Sequence, residues 1–210
     1  VMDGHLDKAV QITQEGLSRG DELGLVELTG TWTYAAGFRS WLFLGKTEEA
    51  LQFVKQRHPL AASEALCLAY LNRKAEAADI LDKSVVNRHG IGSADDETSS
   101  NEDILYLETA IIIEHKEAVR LLVSRFVNYS SPFVIWGPLT CVARHLGGAA
   151  VLLGKYEEAR KYYQEAIRAC TEMRFRPELA LSRLQLAELL LEHYPAEKKE
   201  ALEHLDFAIK

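Results

Sequence analysis

Apolar residues along this chain recur at intervals of three and four, and nowhere does a stretch alternate strictly between apolar and polar. That period belongs to helices whose one side is buried, so the pattern predicts an all-α protein. The first clear segment runs from Thr31 to Leu44 and is apolar almost throughout. A second, Leu60 to Leu71, follows Pro59, which suits a helix start. A third runs from Asn101, an expected cap, to about Ile113, with Glu102 and Asp103 in its first turn. Pro138 is expected to open a fourth helix to Leu153, and Pro177-Glu178 a fifth to about His193. The fifth carries Leu179, Leu181, Leu184, Leu186, Leu189, Leu190 and Leu191, apolar on more than one side, as a helix covered from two directions should be. Residues 87–100 lack apolar periodicity and are expected to form a flexible acidic surface loop. Residues 128–138 form a linker rich in large apolar groups, expected to fold back on the helices because exposing them would cost solubility.

Between these segments lies a repeat. Leu153-Gly154-Lys155-Tyr156-Glu157-Glu158-Ala159 has a weaker copy in Leu44-Gly45-Lys46-Thr47-Glu48-Glu49-Ala50. Aligning the related units on their shared alanine gives Ala9, Ala50, Ala77, Ala118, Ala159 and Ala201, at intervals of 41, 27, 41, 41 and 42 residues. The unit reads as a helix–turn–helix. Its Gly ends helix A in a left-handed conformation, with Asn72 as a permitted substitute. Its acidic pair meets the positive end of the helix B dipole, and its alanine lies where helix B crosses helix A. Ile113, at the turn position before Ala118, does not fit, so that turn is expected to close differently. A lone hairpin cannot bury its apolar stripe and must stack on neighbours. The expectation is one domain over residues 1–210, an α-solenoid of about five and a half hairpins with a period of about 41 residues. Val1 would sit at the start of a B helix and Lys210 inside another, as expected for a piece of a longer polypeptide.

The net charge of −7 narrows the partners less than it suggests, because Ala94 to Asp103 alone holds five acids and no base. The remainder is nearly balanced, which argues against a surface that tracks phosphates, and no nucleic-acid partner is expected. No apolar run approaches a membrane span and no leader is visible, so a cytoplasmic protein with no membrane partner is expected. Cys67, Cys141 and Cys170 read as small buried apolar residues. No nucleotide loop, zinc-protease or nucleophile-elbow motif occurs. Cys141 and His145 have the spacing of two zinc ligands, but no second pair lies near, so no metal and no cofactor is expected. Acidic pairs such as Glu157-Glu158 read as dipole partners, not catalytic carboxylates. The chain is expected not to be an enzyme.

The Ala159-x-x-x-Tyr163 pair and Leu146-Gly147 upstream resemble the signature of the tetratricopeptide-like superfamily, with Ala143 and Ala150 standing where its aromatic residues would be. Residues Ala143 to Gly147, Leu153 to Ala159, Met173 to Ala180 and Glu200 to Leu202 further resemble the C-terminal repeat region of large bacterial signalling proteins. Those join a cyclase-like or DNA-binding head to an ATPase module and then to helical repeats; the likeness covers about residues 104–210. It implies a non-catalytic interaction or regulatory scaffold that docks a protein or peptide, including other domains of its own polypeptide. The alternative is an effector-sensing domain that holds a small molecule in its concave groove. Carrying the alanine register back along the A helices points Trp32, Arg39, Cys141, Arg144 and Arg183 into that groove, and Trp and Arg are common anchors for a partner. The competing reading makes Trp32 core and the arginines ordinary surface charges.

Overall fold

The computed structural model describes residues 1–93, 95–129, 131–134 and 139–209. Eleven α-helices lie within them: α1 (Leu6–Glu22), α2 (Val26–Phe43), α3 (Thr47–Arg57), α4 (Ala61–Tyr70), α5 (Lys74–Leu81), α6 (Ser100–Ile112), α7 (Lys116–Phe126), α8 (Val142–Leu152), α9 (Tyr156–Glu172), α10 (Arg176–His193) and α11 (Lys198–Ile209). A wider turn, Asp82–Val86, extends α5, and a short 3₁₀ turn, Pro195–Glu197, precedes α11. Each helix packs on the next, and α4, α6, α8 and α10 also pack on one another in that order. Tyr34 of α2 adds a hydrogen bond to Ser63 of α4, Oη to Oγ at 2.6 Å. Among the described residues no helix is long and apolar enough to cross a membrane.

The aligned alanines mark the crossings. Ala50, Ala77, Ala118, Ala159 and Ala201 are fully buried and Ala9 nearly so. Each lies in the first turn of an odd-numbered helix, where a larger side chain would push the neighbouring backbone away. Glycine does the same work elsewhere. A Cβ on Gly147 of α8 would meet the ring of Tyr163 of α9 at 2.5 Å, and one on Gly37 of α2 would meet Thr13 of α1 at 2.5 Å. Gly30 of α2 lies against the main-chain carbonyl of Arg57 at the end of α3.

Six inter-helix turns share one closure. The left-handed residue is Gly24, Gly45, Asn72, Glu114, Gly154 or Arg174. After α2, the Gly45 N–H donates to Leu42 O at 3.1 Å and the Lys46 N–H to Trp41 O at 2.8 Å, which satisfies two carbonyls that the helix end leaves unpaired. The turn expected to differ at Ile113 closes by the same pattern, with Glu114 N–H donating to Ile111 O and His115 N–H to Ala110 O. The left-handed position simply falls one residue later, at Glu114 with φ of 62°. His115 Nδ1 then accepts from the Ala118 N–H at 3.2 Å and caps α7.

Other expectations shift locally. α6 is capped by Ser99, whose hydroxyl accepts from the Asn101 N–H at 3.2 Å, rather than by Asn101. Pro138 lies outside the described residues, and α8 begins only at Val142. Ahead of it β1 (Phe133–Val134) and β2 (Thr140–Cys141) form a short antiparallel ribbon, Phe133 opposite Cys141. Two short strands thus interrupt the otherwise helical chain, and Phe133 and Val134 are buried as the linker reading requires. The acidic stretch has no helix or strand between Asn87 and Ser99 among its described residues. It is nonetheless tied down. Asp96 accepts from Arg125 Nη1 at 2.6 Å and from the Gly92 N–H at 2.9 Å, while Asp103 accepts from Arg88 and Arg125. At the other side, the Arg176 N–H of α10 donates to Met2 O at 2.9 Å.

An L-residue in the left-handed region bears a backbone penalty that glycine avoids. Glu114→Gly and Arg174→Gly, both at exposed positions, are each expected to raise stability by about 0.5–1 kcal/mol in chemical denaturation. Gly147→Ala should do the reverse. It improves helix propensity but drives a methyl into the buried Tyr163 ring, with an expected loss of roughly 1–3 kcal/mol.

Candidate functional site

Each even-numbered helix from α2 to α10 contributes at least one polar side chain to a single cluster, buried except for the partly exposed Tyr70. α2 supplies Arg39, α4 Tyr70, α6 Glu108, α8 Arg144 and His145, and α10 Glu178; Thr140 joins from β2. Arg39, His145, Thr140 and Glu178 are at most 1% exposed, and Glu108 and Arg144 are 3% and 4%. Arg39 Nη2 donates to Glu108 Oε2 at 2.6 Å, and Tyr70 Oη to Glu108 Oε1 at 3.0 Å. Arg144 bridges the two carboxylates, with Nη2 to Glu108 Oε1 at 3.4 Å and Nε to Glu178 Oε2 at 2.7 Å. Glu178 also accepts from the Cys141 N–H at 3.2 Å, and Thr140 Oγ1 lies 2.7 Å from His145 Nε2.

Burial alone would raise the Glu108 carboxyl, but the Arg39 and Arg144 guanidiniums hold it below the usual carboxylate range. Glu178 is held down in the same way against burial, chiefly by Arg144. His145 moves to about 3, because burial removes water from its charged form and Arg144 repels it. The ladder therefore holds two positive and two negative charges around a neutral imidazole. Removing one carboxylate would leave a buried guanidinium uncompensated, at a cost of roughly 3–5 kcal/mol.

These positions revise the groove reading of the candidate residues. Arg39 and Arg144 are enclosed and face Glu108 and Glu178, so they offer no free charge to a partner. Cys141 is fully buried beside them. The three cysteines are free and buried. Arg183 is half-buried and faces the other way, its guanidinium 4.2 Å from the centroid of the Phe207 ring on α11. The structure brings together Arg39, Cys141 and Arg144, and leaves Arg183 and Trp32 apart. Sequence reasoning missed Glu108 and Glu178. A single carboxylate inside the apolar run Ile104-Leu105-Tyr106-Leu107-Glu108 was the available signal, since an unpaired buried charge is not tolerated.

Trp32 is neither core nor part of that interior; it is 74% exposed. α2 meets α1 around Gly37 and the Thr29–Thr33 side, and α3 through Gly30. Those contacts use two sides of the helix. Leu25, Leu28 and Trp32, spaced for a single helical face, are exposed on a third, and Leu23 in the preceding turn is 65% exposed. The outcome is a contiguous apolar stripe along the first hairpin. Among the described residues no cluster of three or more His, Cys, Asp or Glu side chains could hold a metal ion.

Comparison with protein-family models, curated proteins and solved structures gives no significant match to this chain.

The ladder makes stability depend on pH. In the unfolded chain His145 takes up a proton near its ordinary value of 6.5, whereas the folded chain resists until about 3. Between those values protons favour the unfolded state, so stability is expected to fall as pH drops from about 6.5 toward 3. His145→Gln should flatten the upper part of that slope, between about pH 6.5 and 5, in urea titrations across pH. The carboxylate-dependent loss at lower pH should remain.

Proposed function

We propose that this chain is a tetratricopeptide-like solenoid of stacked helical hairpins that acts as a non-catalytic docking scaffold within a larger signalling polypeptide. Its partner is a protein segment that folds as an amphipathic helix against the first hairpin. The observation that carries this reading is the stripe of Leu25, Leu28 and Trp32, with Trp32 the most exposed large aromatic residue of the stripe at 74%. Tryptophan in such a position is the residue type that contributes most per side chain to protein interfaces. The other helices supply the precedent for the occupant, because elsewhere in this chain apolar helix faces are covered by other helices. The repeat reading itself is supported by the six buried or nearly buried alanines and by the recurring turn closure.

An effector held by Arg39 and Arg144 in an open inner groove is disfavoured by their burial and by Glu108 and Glu178. Catalysis is likewise disfavoured, because the perturbed ionisable groups are joined to one another in ion pairs and not presented to a cleft.

Helical peptides selected against the folded chain from a display library provide the test. Trp32→Asp should leave the thermal midpoint unchanged and weaken those peptides by about thirtyfold or more, the loss expected of a central tryptophan anchor. Peptides that bind the variant as tightly as the parent would refute the assignment of this face.

A further inference from the structure

A cleft of about 320 Å³ opens between the end of α7, the residues Tyr129, Ser131 and Pro132, and the paired helices α8 and α9. It is separate from both the charge ladder and the Trp32 stripe. Two helices finish at its edge, α7 at Phe126 and α9 at Glu172. The carbonyl end of a helix carries partial negative charge and favours a cation. Neither end is neutralised by its own side chains. α9 has no basic residue in its last turn, and Arg125, in the last turn of α7, is turned away to Asp96 and Asp103.

The lining chemistry points the same way. Glu165 and Glu172 lie seven residues apart on one face of α9, with Arg168 between them, so the rim carries one net negative charge. Tyr129 and Tyr162, both partly exposed, supply aromatic surface, with Phe126 buried behind Tyr129, edge to face at a centroid distance of 5.6 Å. Aromatic faces attract alkylammonium groups and also cover their carbons. A bare metal ion would gain nothing from such a wall. The volume falls at the low end of small-ligand pockets, which suits a cation with a few carbons.

We infer that this cleft binds an organic monocation, an ammonium group on a short apolar body. Such a group belongs to a free amine or to the lysine side chain of a partner peptide. This site does not depend on the Trp32 docking face, and Trp32→Asp should leave it intact, so the two readings fail separately.

The probes are n-butylammonium and tetramethylammonium, with butyrate as the opposite charge, titrated at low ionic strength by calorimetry and by amide-shift NMR. Saturable one-site binding of the ammonium ions, with shifts at Tyr129, Tyr162 and the end of α9, is expected. Butyrate should not bind. The double variant Glu165→Gln/Glu172→Gln, at exposed positions that keep the fold, should raise Kd about tenfold. Tyr162→Leu should raise it about threefold, and Tyr162→Phe little. N-acetyl-lysine methylamide binding as well as n-butylammonium identifies a lysine side chain as the source, and exclusion of the amide identifies a free amine. Absence of saturable binding, equal binding of butyrate, or undiminished affinity in the double glutamine variant would overturn the inference.

Discussion

The interior of this protein is organised around a constraint that apolar packing alone does not impose: four formal charges, on four different helices, have almost no contact with water. Arg39, Glu108, Arg144 and Glu178 are tolerable only together. Arg144 must stand within reach of two carboxylates at once, which fixes α8 against both α6 and α10. Arg39 extends the same requirement to α2 through a 2.6 Å contact. Apolar side chains would accept many relative positions of these helices at similar energy, whereas the directional bonds of the ladder accept few. Such a network adds definition to the arrangement more surely than it adds stability.

Much of the helical layout was legible because its causes are local. A small residue is required where two helices cross closely, so the spacing of Ala50, Ala77, Ala118, Ala159 and Ala201 marks the crossings in the amino-acid sequence itself. Left-handed closure was readable where Gly45, Gly154 or Asn72 provided it. It was hidden at Glu114 and Arg174, whose side chains give no hint that the backbone departs from helical φ. The capping of α6 by Ser99 instead of Asn101 is the usual uncertainty of a residue or two at a helix end.

The candidate site was only half legible, for a different reason. The register aimed Arg39 and Arg144 at an open groove, but a register gives direction without saying what stands opposite, and both are enclosed against carboxylates. Glu178 entered only beside Pro177 as the opening of a helix, and Glu108 was one letter in an apolar run. Their convergence depends on contacts across 36 and 34 residues from Arg144, which no local pattern encodes. Trp32 posed the reverse problem, since an aromatic at helical spacing reads equally as core or as surface. Only the use of the Gly30 and Thr33 sides of α2 by α3 and α1 shows which side remains open.

The bond between Met2 and Arg176 changes how the helices share their fate. A simple stack of hairpins communicates only between neighbours and can fray from either edge, one unit at a time. Here the opening residues reach across to the tenth helix, with Val1 and Met2 packed beside Phe175 and Phe133. Detaching the first residues therefore disturbs the start of α10. Such a contact favours a concerted transition over melting by separate units, and pairings so distant along the chain slow the search for the native arrangement.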